Sequence, residues 1–338
     1  MTDRHLTRRV ILAGAACGLA APPLIGRARA ATMLKVSTSF PNDPNFSTAR
    51  IWYDMFVPKL KANTDGRVAT SFFPDNQLGQ EADVISQVRM GVVDMMLVGT
   101  PIWTNIVPEC GVFDLGYLFQ DYEHLKRVSQ TPAADELRKA LVRKAGAHFP
   151  YWGRNLGARN FLTKFAFRQP ADLTGKKIRS LPNPIVTETV RLMGAAATPM
   201  AFGEIYTGLQ AGVLDGLEHD APTILASKFF ETAKYFTLTR HIYNPFGAFL
   251  SDRTLQRMPA DQRDGLLKAV KDATDEHYDK AQAVETGAIE QLQTRGVTVE
   301  DCDRSVFRDR VRPLWSEFAQ KTPGARPLLD AAHQTEQS

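Results

Sequence analysis

Glu218, His219 and Asp220 are consecutive, and a histidine flanked by two carboxyl groups is the kind of cluster that can hold a metal, move a proton or bind a polar ligand. A metal would need further ligands brought in by the fold. A reaction would need a nucleophile or general base converging on the substrate, for which Glu218 and His219 are the visible candidates. The motifs that carry clear enzyme mechanics are missing: there is no Gly-x-Ser-x-Gly elbow, no His-Glu-x-x-His helix, no Gly-x-Gly-x-x-Gly after the first strand and no Cys-x-x-Cys. Thr174-Gly175-Lys176-Lys177 has part of a phosphate loop, but Pro170 stands at the upstream glycine position and no hydroxyl residue follows the lysine. The cluster therefore reads as a polar pocket or network, with no cofactor, no metal and no catalytic residue assigned.

Such a pocket has to be positioned by a sizeable fold. The 338 residues are 43% hydrophobic and 23% charged, enough apolar material for two cores. The first thirty residues hold five Arg and one acid, so the remainder has bases and acids in equal number. A neutral body argues against nucleic acid as a partner, since phosphate neutralisation needs many cations. Arg4 and Arg8-Arg9, the apolar run Val10 to Ile25 and the small residues around Ala28-Arg29-Ala30 make an export signal cleaved after Ala30. Thr7-Arg8-Arg9-Val10-Ile11-Leu12 is similar to a twin-arginine signal. The mature chain is expected in the periplasm, with no segment that inserts directly in a membrane. Beyond Cys17 it keeps Cys110 and Cys302, which either pair in an oxidising compartment or stay as two buried thiols.

Strands alternate with helices, which predicts parallel α/β sheets. Leu34–Phe40, Arg67–Phe73 and Val92–Val98 read as strands around helices at Ser47–Thr64 and Glu81–Arg89. The pattern restarts at His148–Trp152 and continues through Asn160–Phe167, Lys177–Leu181 and Ala196–Thr198. No linker separates the halves, so two lobes that exchange strands are expected. A helix capped near Pro259-Ala260-Asp261 runs to about Thr294, long enough to lie across both lobes. A further helix is expected over Arg304–Gln320, and the polar end from Asp330 is expected to fray.

Over essentially the whole mature chain the sequence resembles the DctP-type substrate-binding proteins of tripartite ATP-independent periplasmic (TRAP) transporters. The resemblance is carried by Gly66-Arg67 through Phe73-Pro74 with Gln77-Leu78-Gly79, by Met90-Gly91-Val92-Val93-Asp94-Met95 and by Gly157-Ala158-Arg159-Asn160. It continues in Asp172-Leu173-Thr174-Gly175-Lys176-Lys177-Ile178-Arg179, in Pro199 to Tyr206 and in Leu209 to Gly216. It implies the two-lobed α/β solute-binding fold, with interwoven lobes, a long helix spanning both and closure on a small organic acid that is handed to membrane permease subunits. The expected division is 31–156 with about 245–284 as lobe I, 157–244 with about 285–330 as lobe II, and 331–338 as a frayed tail.

Residue by residue, Arg179 matches the family's carboxylate clamp, a role that suits a planar, permanently charged guanidinium. Arg159 matches a second arginine position that supports the same carboxylate, or else forms an inter-lobe ion pair. Phe202 matches an aromatic that packs on the ligand's carbon skeleton. His219 falls at a variable position that faces hydroxyls. Ser39 and Gly99 match first-lobe positions that are larger in a relative and so leave room for a bulkier ligand. Trp152, Asn183 and Asn244 are added from strand ends near the expected cleft. A sugar acid such as a uronate or aldonate suits these residues somewhat better than a C4-dicarboxylate. A periplasmic sensor presenting the acid to a signalling receptor would share the fold and pocket, and an exported enzyme is a third reading.

Overall fold

The computed structural model describes residues 31–335; the expected export signal lies outside them. The chain opens with β1 (Thr32–Ser37), α1 (Thr48–Asn63), β2 (Val68–Phe73), α2 (Glu81–Met90) and β3 (Met95–Gly99). Met95, Met96, Leu97 and Val98 are all buried, the near-continuous apolar run of a strand covered on both faces. The Ser47 side chain caps α1 by accepting from the Arg50 N–H, and Gly91 ends α2 in the left-handed conformation. Next come α3 (Tyr122–Ser129), α4 (Pro132–Ala145) and the short β4 (Ala147–His148), where a longer strand to Trp152 was expected.

The second series is β5 (Arg159–Thr163), β6 (Lys177–Ser180), α5 (Pro184–Leu192), β7 (Ala196–Pro199), α6 (Ile205–Gln210), β8 (Gly216–His219), α7 (Ala221–Ala226) and β9 (Tyr235–Ile242). The chain then returns with β10 (Phe246–Ser251), α8 (Asp252–Arg257), the 35-residue α9 (Ala260–Thr294) and β11 (Thr298–Glu300). It ends with α10 (Arg304–Val311), α11 (Pro313–Lys321) and α12 (Arg326–Gln334).

Two sheets result, ordered β2-β1-β3-β10-β4 and β11-β9-β5-β8-β6-β7. β10 comes late in the chain yet lies inside the first sheet, and β11 returns to the second, so the two halves are interwoven. The sheets are mixed rather than parallel: β10 runs antiparallel to β3 and β4, and β5 antiparallel to β8 and β9. The cause is the path. The chain crosses from β4 to β5 and from β9 to β10 without an intervening helix, so β5 and β10 each enter their sheet from the opposite end. The single helix expected over Arg304–Gln320 is divided at Pro313, whose ring clashes with a continuous helical turn.

The end of the chain departs from expectation. α12 is ordered through Gln334, with Leu328, Leu329 and Ala332 buried, and it packs on α3 and α4 beside the first sheet. His124 Nε2 lies 2.9 Å from the Ala332 carbonyl oxygen. Cys110 is buried and Cys302 half-buried, and both are free thiols. Among the described residues no helix is long and apolar enough to cross a membrane.

α9 ties the two halves together, packing on α1 at one end and on α7 and β11 further along. Trp52 and Phe56 of α1 stack at 4.9 Å, and the Trp52 indole N–H donates to Thr274 Oγ1 of α9 at 3.2 Å. The approach is close at Gly265, where an added Cβ would sit 2.3 Å from the Asn63 carbonyl oxygen. Gly265→Ala is expected to lose about 1–3 kcal/mol of stability by overpacking, more than offsetting the ~1 kcal/mol helix-propensity gain of alanine. Denaturant unfolding midpoints of the two proteins check this.

Candidate functional site

Strands β5, β8 and β6 are consecutive neighbours in the second sheet. They bring Arg159, then Glu218 and His219, then Arg179 side by side. From the first sheet, the segment after β1 supplies Phe40, the end of β3 supplies Gly99, the start of α2 supplies Glu81 and the approach to β10 supplies Asn244. A narrow cavity of about 30 Å³ lies between these groups, lined among others by Phe40, Glu81, Gly99, Asn155, Arg159, Phe202, His219 and Asn244. It sits off the C-terminal ends of β1, β3, β6 and β8, the usual crevice position in α/β folds. Phe40 bridges the two sheets, with its ring 5.5 Å from Phe202 and 6.2 Å from His219.

Arg159 and Glu218 form a fully buried pair within the second sheet. Arg159 Nε donates to Glu218 Oε2, and Nη2 donates to Oε1 at 2.9 Å and to the Glu218 carbonyl oxygen at 3.0 Å. Burial alone would raise the Glu218 pKa, but Arg159 and His241 outweigh it and hold the carboxyl well below the usual range. The pair is therefore not inter-lobe, and the arginine has only Nη1 outside its fork.

Arg179 is the opposite case. It is completely buried, its Nε donates to the Met200 carbonyl oxygen at 2.9 Å, and both Nη1 and Nη2 lack hydrogen-bond partners. Burial pulls its pKa down to about 10; Glu218 and Glu81 oppose the shift and Arg159 adds to it. The group is still charged at neutral pH. Arg179 does not line the cavity, but Glu81 and Arg159, which do, are among its electrostatic neighbours. Glu81 is half-buried; desolvation raises its pKa against a hydrogen bond from Ser39 and the pull of both arginines. Larger depressions exist elsewhere, such as an open groove of about 810 Å³ along α3, β9 and α9. Its buried arginine is already engaged: Arg154 lies 3.8 Å from the centre of the Tyr122 ring and 3.6 Å from Glu285 Oε2.

Residues 41–322 match the bacterial extracellular solute-binding proteins, family 7, DctP. The chain belongs to this DctP family. It is 30% identical to a TRAP periplasmic solute-binding protein from Polaromonas sp. JS666 bound to D-erythronate, with a TM-score of 0.83 over 89% of this chain and 98% of that one. A TRAP periplasmic solute-binding protein from Citrobacter koseri with bound D-glucuronate is 28% identical, with a TM-score of 0.82 over 89% and 99%. The C4-dicarboxylate-binding periplasmic protein DctP of Rhodobacter capsulatus is 27% identical over 76% of this chain and 78% of its own. DctP proteins are periplasmic substrate-binding proteins, and their structures account for both the two-sheet fold and the long α9.

Of the nine residues expected from the DctP resemblance, five lie on the cavity: Arg159, Phe202, His219, Gly99 and Asn244. Gly99 does not make room for a ligand, because a Cβ there would be 2.8 Å from Asn244 Nδ2. Nor does Ser39, whose hydroxyl donates to Glu81 Oε1 at 2.6 Å and so orients that carboxyl group. Asn183 caps α5 and donates to the Pro101 carbonyl oxygen and Asp114 Oδ2, each at 2.7 Å, joining the two halves beside the cavity rather than lining it. Trp152 packs between Phe113 and Phe149, at 4.8 and 4.9 Å, in the core around the first sheet. Phe40, Glu81 and Asn155 were missed. Glu81 opens α2 immediately after the Gln77-Leu78-Gly79 signature, and that placement was the available signal.

The unfolded-state pKa of a glutamate lies near 4.5, so the Arg159–Glu218 pair contributes its full stability above about pH 5 and loses it as pH falls toward the depressed folded-state value. Glu218→Gln should cost about 3–5 kcal/mol at pH 7, because it leaves Arg159 buried with half a partner. The same variant should show a flatter decline below pH 5, as measured by chemical denaturation across pH.

Proposed function

We propose that this protein is the periplasmic receptor of a TRAP transporter and that its ligand is a sugar acid, held by its carboxylate at Arg179 and delivered to the membrane permease without chemical change. The observation that carries the reading is Arg179: a charged guanidinium, completely buried, with two nitrogens that donate to nothing. A buried charge is tolerated when it is paired, and a ligand carboxylate bridging Nη1 and Nη2 is the pairing its geometry invites. Phe40 and Phe202 offer apolar faces for a carbon chain, while His219, Asn155 and Glu81 offer polar groups for hydroxyls. The D-erythronate and D-glucuronate carried by the two solved relatives favour a hydroxylated acid over a plain C4-dicarboxylate.

The cavity of about 30 Å³ holds a water or two, far less than the ~300–1,000 Å³ of ordinary ligand pockets. Accommodating a sugar acid, as well as its entry and release, therefore requires the halves to stand further apart than they do here. Lobe I is 31–156 with about 245–284, and lobe II is 157–244 with the chain from about 285 through α10, short of the expected 330 because α12 packs on α3 and α4 of lobe I; they rotate about the crossings at 153–158, at 241–245 and along α9. The ligand acts by favouring the closed arrangement, which the permease recognises. Residues 1–30 serve as the export signal, cleaved after Ala30.

A thermal-shift screen against aldonates, uronates, keto acids, dicarboxylates and amino acids tests the reading. A sugar acid at about 100 times its dissociation constant should add roughly 2.7 kcal/mol of stability. Arg179→Ala should weaken that ligand by about 10²–10³-fold, matching the ~3–5 kcal/mol for breaking a buried ion pair, and Arg179→Lys should not restore it. Near-unchanged affinity in a folded Arg179→Ala protein would end the carboxylate-clamp assignment.

A further inference from the structure

Asp220, the N-cap of α7, sets the hydrogen-bonding polarity of one side of the cavity. Its Oδ2 lies 2.7 Å from His219 Nδ1, 2.8 Å from Asn155 Nδ2 and 3.1 Å from Thr223 Oγ1, and its Oδ1 accepts from the Thr223 N–H at 2.9 Å. A carboxyl group surrounded by donors is ionised. Burial works against that charge and is outweighed by His219 and Thr223. Two lone pairs 2.7 Å apart repel, so His219 Nδ1 carries the ring proton. The Asp220 N–H lies 3.0 Å from the same nitrogen, but the closer, charged oxygen decides the tautomer. Burial, reinforced by Arg159, keeps His219 below its ordinary pKa, so the ring holds one proton and Nε2 on its other edge is a bare acceptor.

The same carboxylate fixes Asn155. With Nδ2 turned to Asp220, Asn155 Oδ1 faces away, buried and without a partner. Both residues line the cavity, and so does Glu81, a third acceptor. The donors are Nη1 and Nη2 of Arg179, Nη1 of Arg159 and, on the side of the first sheet, the Asn244 amide, whose Nδ2 also reaches the Pro245 carbonyl oxygen at 3.5 Å. The site thus has one donor pole for a carboxylate and an acceptor side that suits hydroxyl groups. A second carboxylate beside His219 and Asn155 would face their two lone pairs and Glu81, a repulsion that the Asn244 amide on the other side of the cavity does not relieve.

We propose that Asp220, by presenting His219 and Asn155 as hydrogen-bond acceptors, makes the receptor select polyhydroxylated monocarboxylates over dicarboxylates of the same carbon chain. The inference rests on the sugar-acid reading above. Asp220 is a positioning residue in this scheme; it acts on the ligand through His219 and Asn155.

Calorimetric titration of the purified protein with galactonate and galactarate, gluconate and glucarate, and mannonate and mannarate tests it, since each pair differs only by a terminal CH₂OH or carboxylate. The bound aldonate should outcompete its aldarate by at least 100-fold. Asp220→Asn keeps an N-cap for α7 but offers an amide N–H to His219, moving the ring proton to Nε2 and placing a donor in the cavity. It should shrink the ratio at least tenfold, whereas a merely structural loss would weaken both acids alike and leave the ratio unchanged. His219→Gln, whose amide can rotate to donate, should shrink it too and serves if Asp220→Asn does not fold. Binding of both acids within threefold in the unaltered protein, or an unchanged ratio in both variants, overturns the inference and leaves the sugar-acid reading standing. Binding of neither acid in any pair at millimolar concentration removes the sugar-acid reading and the inference with it.

Discussion

Removing a guanidinium from water costs several kcal/mol even after the protein relaxes around it, and two such groups are buried side by side on β5 and β6. Arg159 is neutralised internally by Glu218 on the strand between them. Arg179 is not, and the arrangement of the site follows from that difference. With Arg159 already paired, the residual positive charge is concentrated on a single fork whose outer nitrogens are unbonded. Glu81, brought from the opposite sheet and oriented by Ser39, moderates that charge without contacting it. The charge around the cavity is therefore uneven, with the unpaired Arg179 fork on the side of the second sheet and the Glu81 carboxyl on the side of the first.

Much of this was legible in the sequence, though unevenly. Arg179 ends the Asp172-to-Arg179 run, a local pattern in which loop, strand and charged residue are adjacent, and local patterns survive in sequence. The long α9 was legible because its apolar residues recur at helical spacing with few breakers. Gly99 and Ser39 misled because a small residue implies space only if nothing else fills it; Asn244 fills one position and the Glu81 hydrogen bond occupies the other. Trp152 and Asn183 sit near strand ends but are turned into the core and into a helix cap, where Phe113 for the first and Pro101 and Asp114 for the second, all more than thirty positions away, complete their contacts. The strand directions were likewise a matter of chain path, which alternation of strands and helices does not encode.

The polar cluster at 218–220 reads differently in three dimensions. Adjacent in sequence, its members have separate partners: Glu218 pairs with Arg159, and Asp220 with His219, Asn155 and Thr223. Among the described residues no group of three or more His, Cys, Asp and Glu is placed to hold a metal. The two acids beside the histidine thus do different work: Glu218 balances the charge of Arg159, and Asp220 orients the His219 ring.

The interwoven path also bears on how the molecule can be assembled. β10 lies between β3 and β4, so until residue 251 has left the ribosome the first sheet lacks an interior strand and β3 is an unpaired edge. The second sheet gains its outermost strand only with β11. Neither half can become a finished domain while the other is unmade, and the contacts that complete them are distant in sequence, the kind that form slowly. Maturation is thereby a single late event for the whole chain, and a nascent chain halted at its midpoint would expose two incomplete cores instead of one completed lobe.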